Sequence, residues 1–348
     1  MRMRRYLNAI FGNRDVCRSL GESIEKNALS HAILIEGDAG GGKHTLAKEI
    51  AKALLCEERE NKDTPLPCSS CRACYLVDHG LATDLHFISR GEKATIGVDA
   101  VREVIEDTAL AATEFNHKIY IFEDAHTMTT GAQNALLKIM EEPPRGVVLI
   151  LLTESVDSML TTVRSRARLI RMQRFTTEEI KAYLREKEIE LLRPYDARKE
   201  ELDTLLLLSG GSIGEAVRLL SPESAKEVKK ERDETLAVLN ALAEKSSTSL
   251  LKALTALPQK REELKESLLL LGRALRDLIL LKRAEEPPLT FFPHKEQIPE
   301  ALSAFRIGML FAFSDAIEEA VTELERNAGV ASTLTMLAAR LRNAQKER

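Results

Sequence analysis

Ala32-Ile-Leu-Ile35-Glu-Gly37-Asp-Ala-Gly40-Gly-Gly42-Lys43-His44-Thr45 is the stretch whose reading decides the fold. Ala32–Ile35 is an apolar run of strand length, and Thr45–Leu55 spaces its apolar residues three and four apart, as a helix does. A glycine-rich turn at a strand–helix junction is the setting of a phosphate-binding P-loop. Glycines let backbone N–H groups turn inward around an anion, the helix N-terminus adds its dipole, and Lys43 adds a full charge. One position departs from that pattern. The Ser or Thr expected after the lysine, as a ligand of Mg²⁺, is His44, and a hard cation prefers oxygen to imidazole. Thr45 stands one residue late. The alternative is a glycine turn that holds no ligand.

Working outward, the first half alternates strands and helices. Leu85–Ile88, Ile119–Phe122, Val147–Leu152 and Leu169–Met172 read as further strands, with Val98–Ala111 and Ala132–Met140 as helices between them. That order predicts an α/β domain with a parallel sheet covered on both faces. The strand Ile119–Phe122 runs into Glu123-Asp124, the layout of a Walker B element with its acids inverted. An ATPase places Asp first for Mg²⁺ and Glu second for the attacking water. Solvated acids at a strand end are the plainer reading.

Cys56, Cys68, Cys71 and Cys74 form C-x11-C-x2-C-x2-C. Overlapping C-x2-C spacings let successive sulfurs converge, and four thiolates suit a structural Zn²⁺. A redox Cys-x-x-Cys pair is the rival, but it needs two cysteines, not four. Cys17 stands alone and reads as a buried thiol. Thr162-Val-Arg164-Ser-Arg166-Ala-Arg168 concentrates three arginines, a run that is usually surface charge.

After Met172 the strand signals stop. Thr176-Thr-Glu-Glu179 is a capping box opening a helical stretch to Leu208, and Ser209–Gly214 interrupts it before Glu215–Leu220. Ser221-Pro222 marks a boundary. From Ala225 the chain reads as helices broken at Ser246–Ser249, Pro258 and Glu286–Pro293, with Glu227–Glu234 as a solvated face. Three units are expected: an α/β P-loop domain over 1–172 with a zinc-binding insertion at 56–74, a small helical lid over 173–222, and a helical collar over 223–348.

Composition narrows the function classes. The 348 residues carry a net charge of −4, which argues against a protein that wraps DNA. No apolar run approaches the roughly 20 residues of a bilayer span, and no apolar segment follows the basic start Met1–Tyr6. The expectation is a cytoplasmic protein with reduced thiols and no membrane partner.

In order along the chain, Ser30-His31-Ala32, the glycine turn, the four cysteines, Ile96–Arg102, Glu123-Asp124, Asn134–Pro144 and Ser165-Arg166-Ala167 resemble the bacterial clamp-loader subunits of the AAA+ superfamily. The resemblance covers about residues 8–222, and the C-terminal region matches only as helices. Within that family the chain resembles the delta-prime type more than the ATP-hydrolysing gamma/tau motors. His44, the inverted Glu123-Asp124, and Gly214 where the motors' sensor-2 arginine falls all remove hydrolytic parts. The resemblance implies that Gly37, Gly40, Gly42, Lys43, His44, Thr45, Glu123 and Asp124 form a degenerate ATP/Mg²⁺ site. It implies that Arg166 is an arginine finger acting on a neighbour's ATP. It further implies a stator in a hetero-pentamer with gamma/tau and delta, loading a sliding clamp onto primed DNA. The alternatives are a gamma/tau-type ATPase and, from another class, a zinc-dependent nucleic-acid-binding module.

Overall fold

The computed structural model describes residues 4–91, 94–221, 225–244, 246–285, 287, 289–292, 298–326 and 328–346. The breaks expected at Pro222 and at Glu286 and Pro293 lie outside the described residues. By internal contacts the chain divides into two units, Met1–Tyr183 with Gly211–Gly214, and Leu184–Gly210 with Glu215–Arg348.

The first unit is a parallel α/β domain. Its strands are β1 (Ala32–Glu36), β2 (Leu85–Ile88), β3 (Lys118–Phe122), β4 (Val147–Thr153) and β5 (Arg168–Arg171). They lie in the order β2-β3-β4-β1-β5, all parallel, with Ile35 opposite Leu152 and Ile170. Strand alternation builds two cores. Ile33 and Ile35 face one side with Ile119, Ile121 and Ile150, while Ala32 and Leu34 face the other with Tyr120, Phe122 and Leu149. A strand buried on both faces is why Val147–Leu152 is apolar at every position.

Around the sheet run α1 (Arg14–Glu25), α2 (Lys43–Leu55), α3 (Arg72–Asp78), α4 (Val98–Thr108), α5 (Thr130–Glu141) and α6 (Thr161–Arg164). Helices α1, α3 and α6 are absent from the sequence reading: α6 is a single turn, and α3 is hidden within the cysteine spacing. Asp84, fully buried, accepts the backbone N–H groups of Thr113, Glu114 and Phe115 at 2.7, 2.7 and 2.8 Å, tying the loop after α4 to the start of β2. Gln133 on α5 joins two other segments. Its Oε1 accepts the N–H of Leu160 at 2.8 Å and its Nε2 donates to the Met128 carbonyl at 3.3 Å.

The capping box is present as expected. Glu179 N donates to Thr176 Oγ1 at 3.2 Å, and Thr176 N donates back to Glu179 Oε2 at 2.9 Å, opening α7 (Thr177–Lys187). Helicity does not run unbroken to Leu208. It divides into α8 (Ile189–Leu192), a 3-10 turn at Arg193–Tyr195 and α9 (Lys199–Leu208). Pro194 accounts for the end of α8, since its ring blocks the preceding turn and it has no N–H to donate, while the division before α8 falls at Glu188, whose backbone is not helical.

The second unit is helical. After α10 (Ile213–Leu220) come α11 (Ala225–Ala243), α12 (Ser247–Thr255), α13 (Arg261–Leu281), α14 (Glu300–Ser303), α15 (Ile307–Glu325) and α16 (Val330–Lys346). Leu264, Leu268, Leu271, Leu275 and Leu278 form the buried stripe of α13, and Leu310, Phe313, Ile317, Ala320 and Leu324 that of α15. Spacings of three and four on both helices let the two stripes pack into each other. The fully buried Asp277 accepts the N–H groups of Thr290, Phe291 and Phe292 at 2.8, 2.6 and 3.1 Å. Among the described residues no helix is long and apolar enough to cross a membrane.

Candidate functional site

The glycine turn leaves β1 in the sheet's interior, between β4 and β5, and ends in α2. Gly40 and Gly42 have φ of 67° and 90°, left-handed values that a side chain disfavours. Gly37 has no spare room either, because a Cβ there would lie 3.2 Å from Met172 Cβ. Lys43 is buried and folds back on the turn, donating to the carbonyls of Gly37 at 2.6 Å and Asp38 at 2.9 Å. Burial lowers the pKa of its ammonium, and the charges of Glu154, Asp124 and Asp38 oppose that effect.

Two further contacts close on this turn. Ser212 Oγ donates to the Ala39 carbonyl at 2.9 Å, and Gly214 N donates to the Gly40 carbonyl at 3.0 Å. A Cβ on Gly214 would stand 2.8 Å from Gly40 Cα, too close for any side chain. Asp38 is held from outside by Arg174, whose Nε lies 2.5 Å from Asp38 Oδ2.

At the end of β3, Glu123 and Asp124 part company. Asp124 adopts φ 49° and turns the chain into a short 3-10 segment, Ala125–Thr127. Glu123 Oε1 lies 3.2 Å from His44 Nδ1. The residue in the place of the expected Mg²⁺ ligand and the first acid of the inverted pair are therefore partners. Thr45 lies in the first turn of α2, one step beyond His44.

The sulfurs of Cys56, Cys68, Cys71 and Cys74 lie within 4.8 Å of one another, a set able to hold a metal ion. Backbone N–H groups point at them: Cys68 N to Cys56 Sγ at 3.5 Å, Cys71 N to Cys68 Sγ at 3.3 Å and Cys74 N to Cys71 Sγ at 3.5 Å. The hydrogen bond between Cys56 and Cys74 lowers the pKa of the Cys56 thiol against burial, and with burial it raises that of Cys74. Thiolate character is what metal ligation requires. Cys17 stands apart, and burial pushes its thiol up to about 11.

Arg164, Arg166 and Arg168 straddle the connection from α6 to β5, and each has its own partner. Arg164 pairs with Asp157 at 3.0 Å, while Arg168 donates to Ser23 Oγ and Ser19 Oγ, both at 3.1 Å. Arg166 Nε donates to Glu141 Oε1 at 2.7 Å. The turn, the acids and His44 come together, whereas the cysteines and Arg166 form separate clusters. Glu154, Arg174 and Glu141 escaped the sequence reading. Glu154 had a signal, since it directly follows β4 at the same sheet edge as the turn; the other two had none.

Comparison with known proteins places residues 12–176 on the family model described as "DNA polymerase III, delta subunit". DNA polymerase III subunit delta' of Bacillus subtilis (strain 168) is 33% identical over 204 residues, 59% of this chain and 58% of that protein. DNA polymerase III subunit gamma of Buchnera aphidicola subsp. Acyrthosiphon pisum (strain APS) is 29% identical over 215 residues, 62% of this chain and 58% of that protein. The matches thus span little more than half of these relatives' lengths. A solved structure of a DNA polymerase III gamma subunit-related protein from Thermotoga maritima is 19% identical with a TM-score of 0.42, covering 94% of this chain and 99% of that one.

Proposed function

We propose that the chain, similar over residues 12–176 to the family described as "DNA polymerase III, delta subunit" and to a delta' subunit, is a clamp-loader subunit of the delta-prime type, a stator. One observation carries the choice of a non-hydrolysing subunit: the 3.2 Å pair between His44 and Glu123. A hydrolytic P-loop needs a hydroxyl after its lysine and an acid at the strand end, both committed to Mg²⁺. Here those positions hold an imidazole and a carboxylate that face each other at 3.2 Å. Gly214, with no room for a side chain, supplies no third charge to a nucleotide.

What the chain retains is a group for a neighbour. Arg166 acts in trans on the ATP of an adjacent gamma/tau motor, in a hetero-pentamer that also contains delta and loads a sliding clamp onto primed DNA. Its guanidinium stabilises charge on the transferring phosphoryl, an effect worth about 10³–10⁵ in rate where such fingers have been removed. The glycines and Lys43 still offer backbone donors and one cation to a phosphate.

The four cysteines hold a structural Zn²⁺. With Zn–S bonds of about 2.3 Å, a tetrahedron sets its sulfurs about 3.8 Å apart. Cys68 Sγ and Cys74 Sγ, 3.9 Å apart, fit that figure. The ion would staple the segment between α2 and α3, giving rigidity rather than chemistry.

The test is reconstitution with motor subunits. Arg166→Ala is expected to lower the DNA-stimulated ATPase and clamp loading of the assembly, with Arg164→Ala close to wild type. Unchanged activity of the Arg166→Ala assembly, with the complex intact, would remove the finger. ATP turnover by the isolated chain that Lys43→Ala abolishes would establish the motor reading instead.

A further inference from the structure

Arg166 is engaged on its own chain. Nε donates to Glu141 Oε1 at 2.7 Å, and Nη2 is ion-paired with the same oxygen. Nη1 donates to the Thr162 carbonyl at 3.1 Å and to Ser165 Oγ at 3.3 Å. The edge formed by Nε and Nη2 is one of those with which a guanidinium grips two oxygens of a phosphate. Here a carboxylate occupies it.

The position of that carboxylate is itself informative. Glu141 is the last residue of α5 and Glu142 is its C-cap. A helix C-terminus carries partial negative charge and favours cations, so two acids there work against the helix. Helix stability therefore does not account for Glu141. Its ion pair with Arg166 does.

Resting on the arginine-finger reading, we propose that Glu141 is a positioning residue that parks Arg166 on its own chain until a partner's phosphate takes the guanidinium. The side chains are 35% exposed for Arg166 and 50% for Glu141, so the hold is solvent-screened and weak enough to exchange. A triphosphate presents several charges on adjacent oxygens against one on Glu141, and it repels Glu141 as it approaches. Thr162 and Ser165 hold the other end of the guanidinium, so release from Glu141 leaves it tethered close to α6. Each engagement of the finger is then opposed by the strength of the Glu141 pair.

The experiment uses the full chain reconstituted with motor subunits, with the motor P-loop lysines inactivated except at the site facing Arg166. Glu141→Gln is expected to raise hydrolysis there two- to fivefold, or about 0.4–1 kcal/mol at roughly 1.4 kcal/mol per decade. Salt already weakens the wild-type pair, so the gain should shrink as ionic strength rises. In the isolated chain the Arg166 Nε–H, followed by ¹⁵N NMR, should exchange with water faster in Glu141→Gln. If Arg166→Ala lowers the rate but Glu141→Gln leaves it unchanged or lower, the parking idea falls and the finger stands. If Arg166→Ala itself has no effect, the finger reading fails and takes this proposal with it. A gain that persists in the double variant, or an unchanged Nε–H exchange rate, would likewise overturn it.

Discussion

Gly214 donates its backbone N–H to the Gly40 carbonyl at 3.0 Å, and a side chain on Gly214 would begin 2.8 Å from Gly40 Cα. This approach gives a physical reason for glycine at 214, the position that the proposed delta-prime reading matches to a motor arginine. Gly214→Arg therefore does not install a missing catalytic group. It should push the 211–214 segment off the glycine turn and destabilise the chain by about 1–3 kcal/mol, the usual range for overpacking. Thermal unfolding checks the loss, and an ATPase assay should show no gain. A stable Gly214→Arg protein that hydrolyses ATP would refute both statements.

Phosphate binding at the turn should depend on Lys43 without any turnover following from it. Lys43→Ala removes the one cation that the turn itself carries, and equilibrium dialysis with a non-hydrolysable ATP analogue should show weaker binding. His44→Ser frees Glu123 from its imidazole partner. Addition of Mg²⁺ should then tighten binding in the variant more than in the native chain, which calorimetry with and without the metal would measure.

One Zn²⁺ per chain is expected in protein purified without chelator, by elemental analysis or native mass spectrometry. Cys71→Ser should lower that content and raise proteolytic cleavage within 56–74, because metal ligation and local folding are coupled. Cys56 and Cys74 pack into the core on one face of the sheet, whereas the opposite face, with Leu34, Tyr120, Phe122 and Leu149, has a core free of this segment and should keep its cooperative unfolding. A strong chelator should reproduce the effect in the native chain.

Asp84 makes stability depend on pH in a definite direction. Burial alone would raise its carboxyl, but three backbone donors and Lys118 bring it below the ordinary 3.8. A carboxyl with a lower pKa folded than unfolded contributes stability above its unfolded value and loses it as pH falls through the folded one. Asp84→Asn cannot accept all three N–H groups, and near neutral pH it should cost about 2–3 kcal/mol. Urea unfolding at several pH values should show the gap between the two proteins closing below about pH 4.

What the sequence determined by itself was carried by local spacing, though α1 and the divisions before Leu208 were not read from it. Five apolar runs are strands because their neighbours in the chain are glycine turns and amphipathic helices, and all five lie in one parallel sheet. The capping box at Thr176 and the converging C-x2-C spacings act over three residues, so they too were legible. The order β2-β3-β4-β1-β5 was not, because which strands become neighbours is a matter of long-range packing rather than periodicity. Nor were the partners of the charged residues. Glu141 and Arg166 are 25 residues apart and Arg174 and Asp38 are 136 apart, and each side chain alone looks like solvated surface. His44 could be seen to lack a metal-binding hydroxyl, but only the arrival of β3 beside β4 and of Glu123 at its end supplies the imidazole with a partner. Gly214 was visible as the absence of an arginine, and the tertiary structure supplies the cause: backbone packed on backbone, with no volume left for a Cβ.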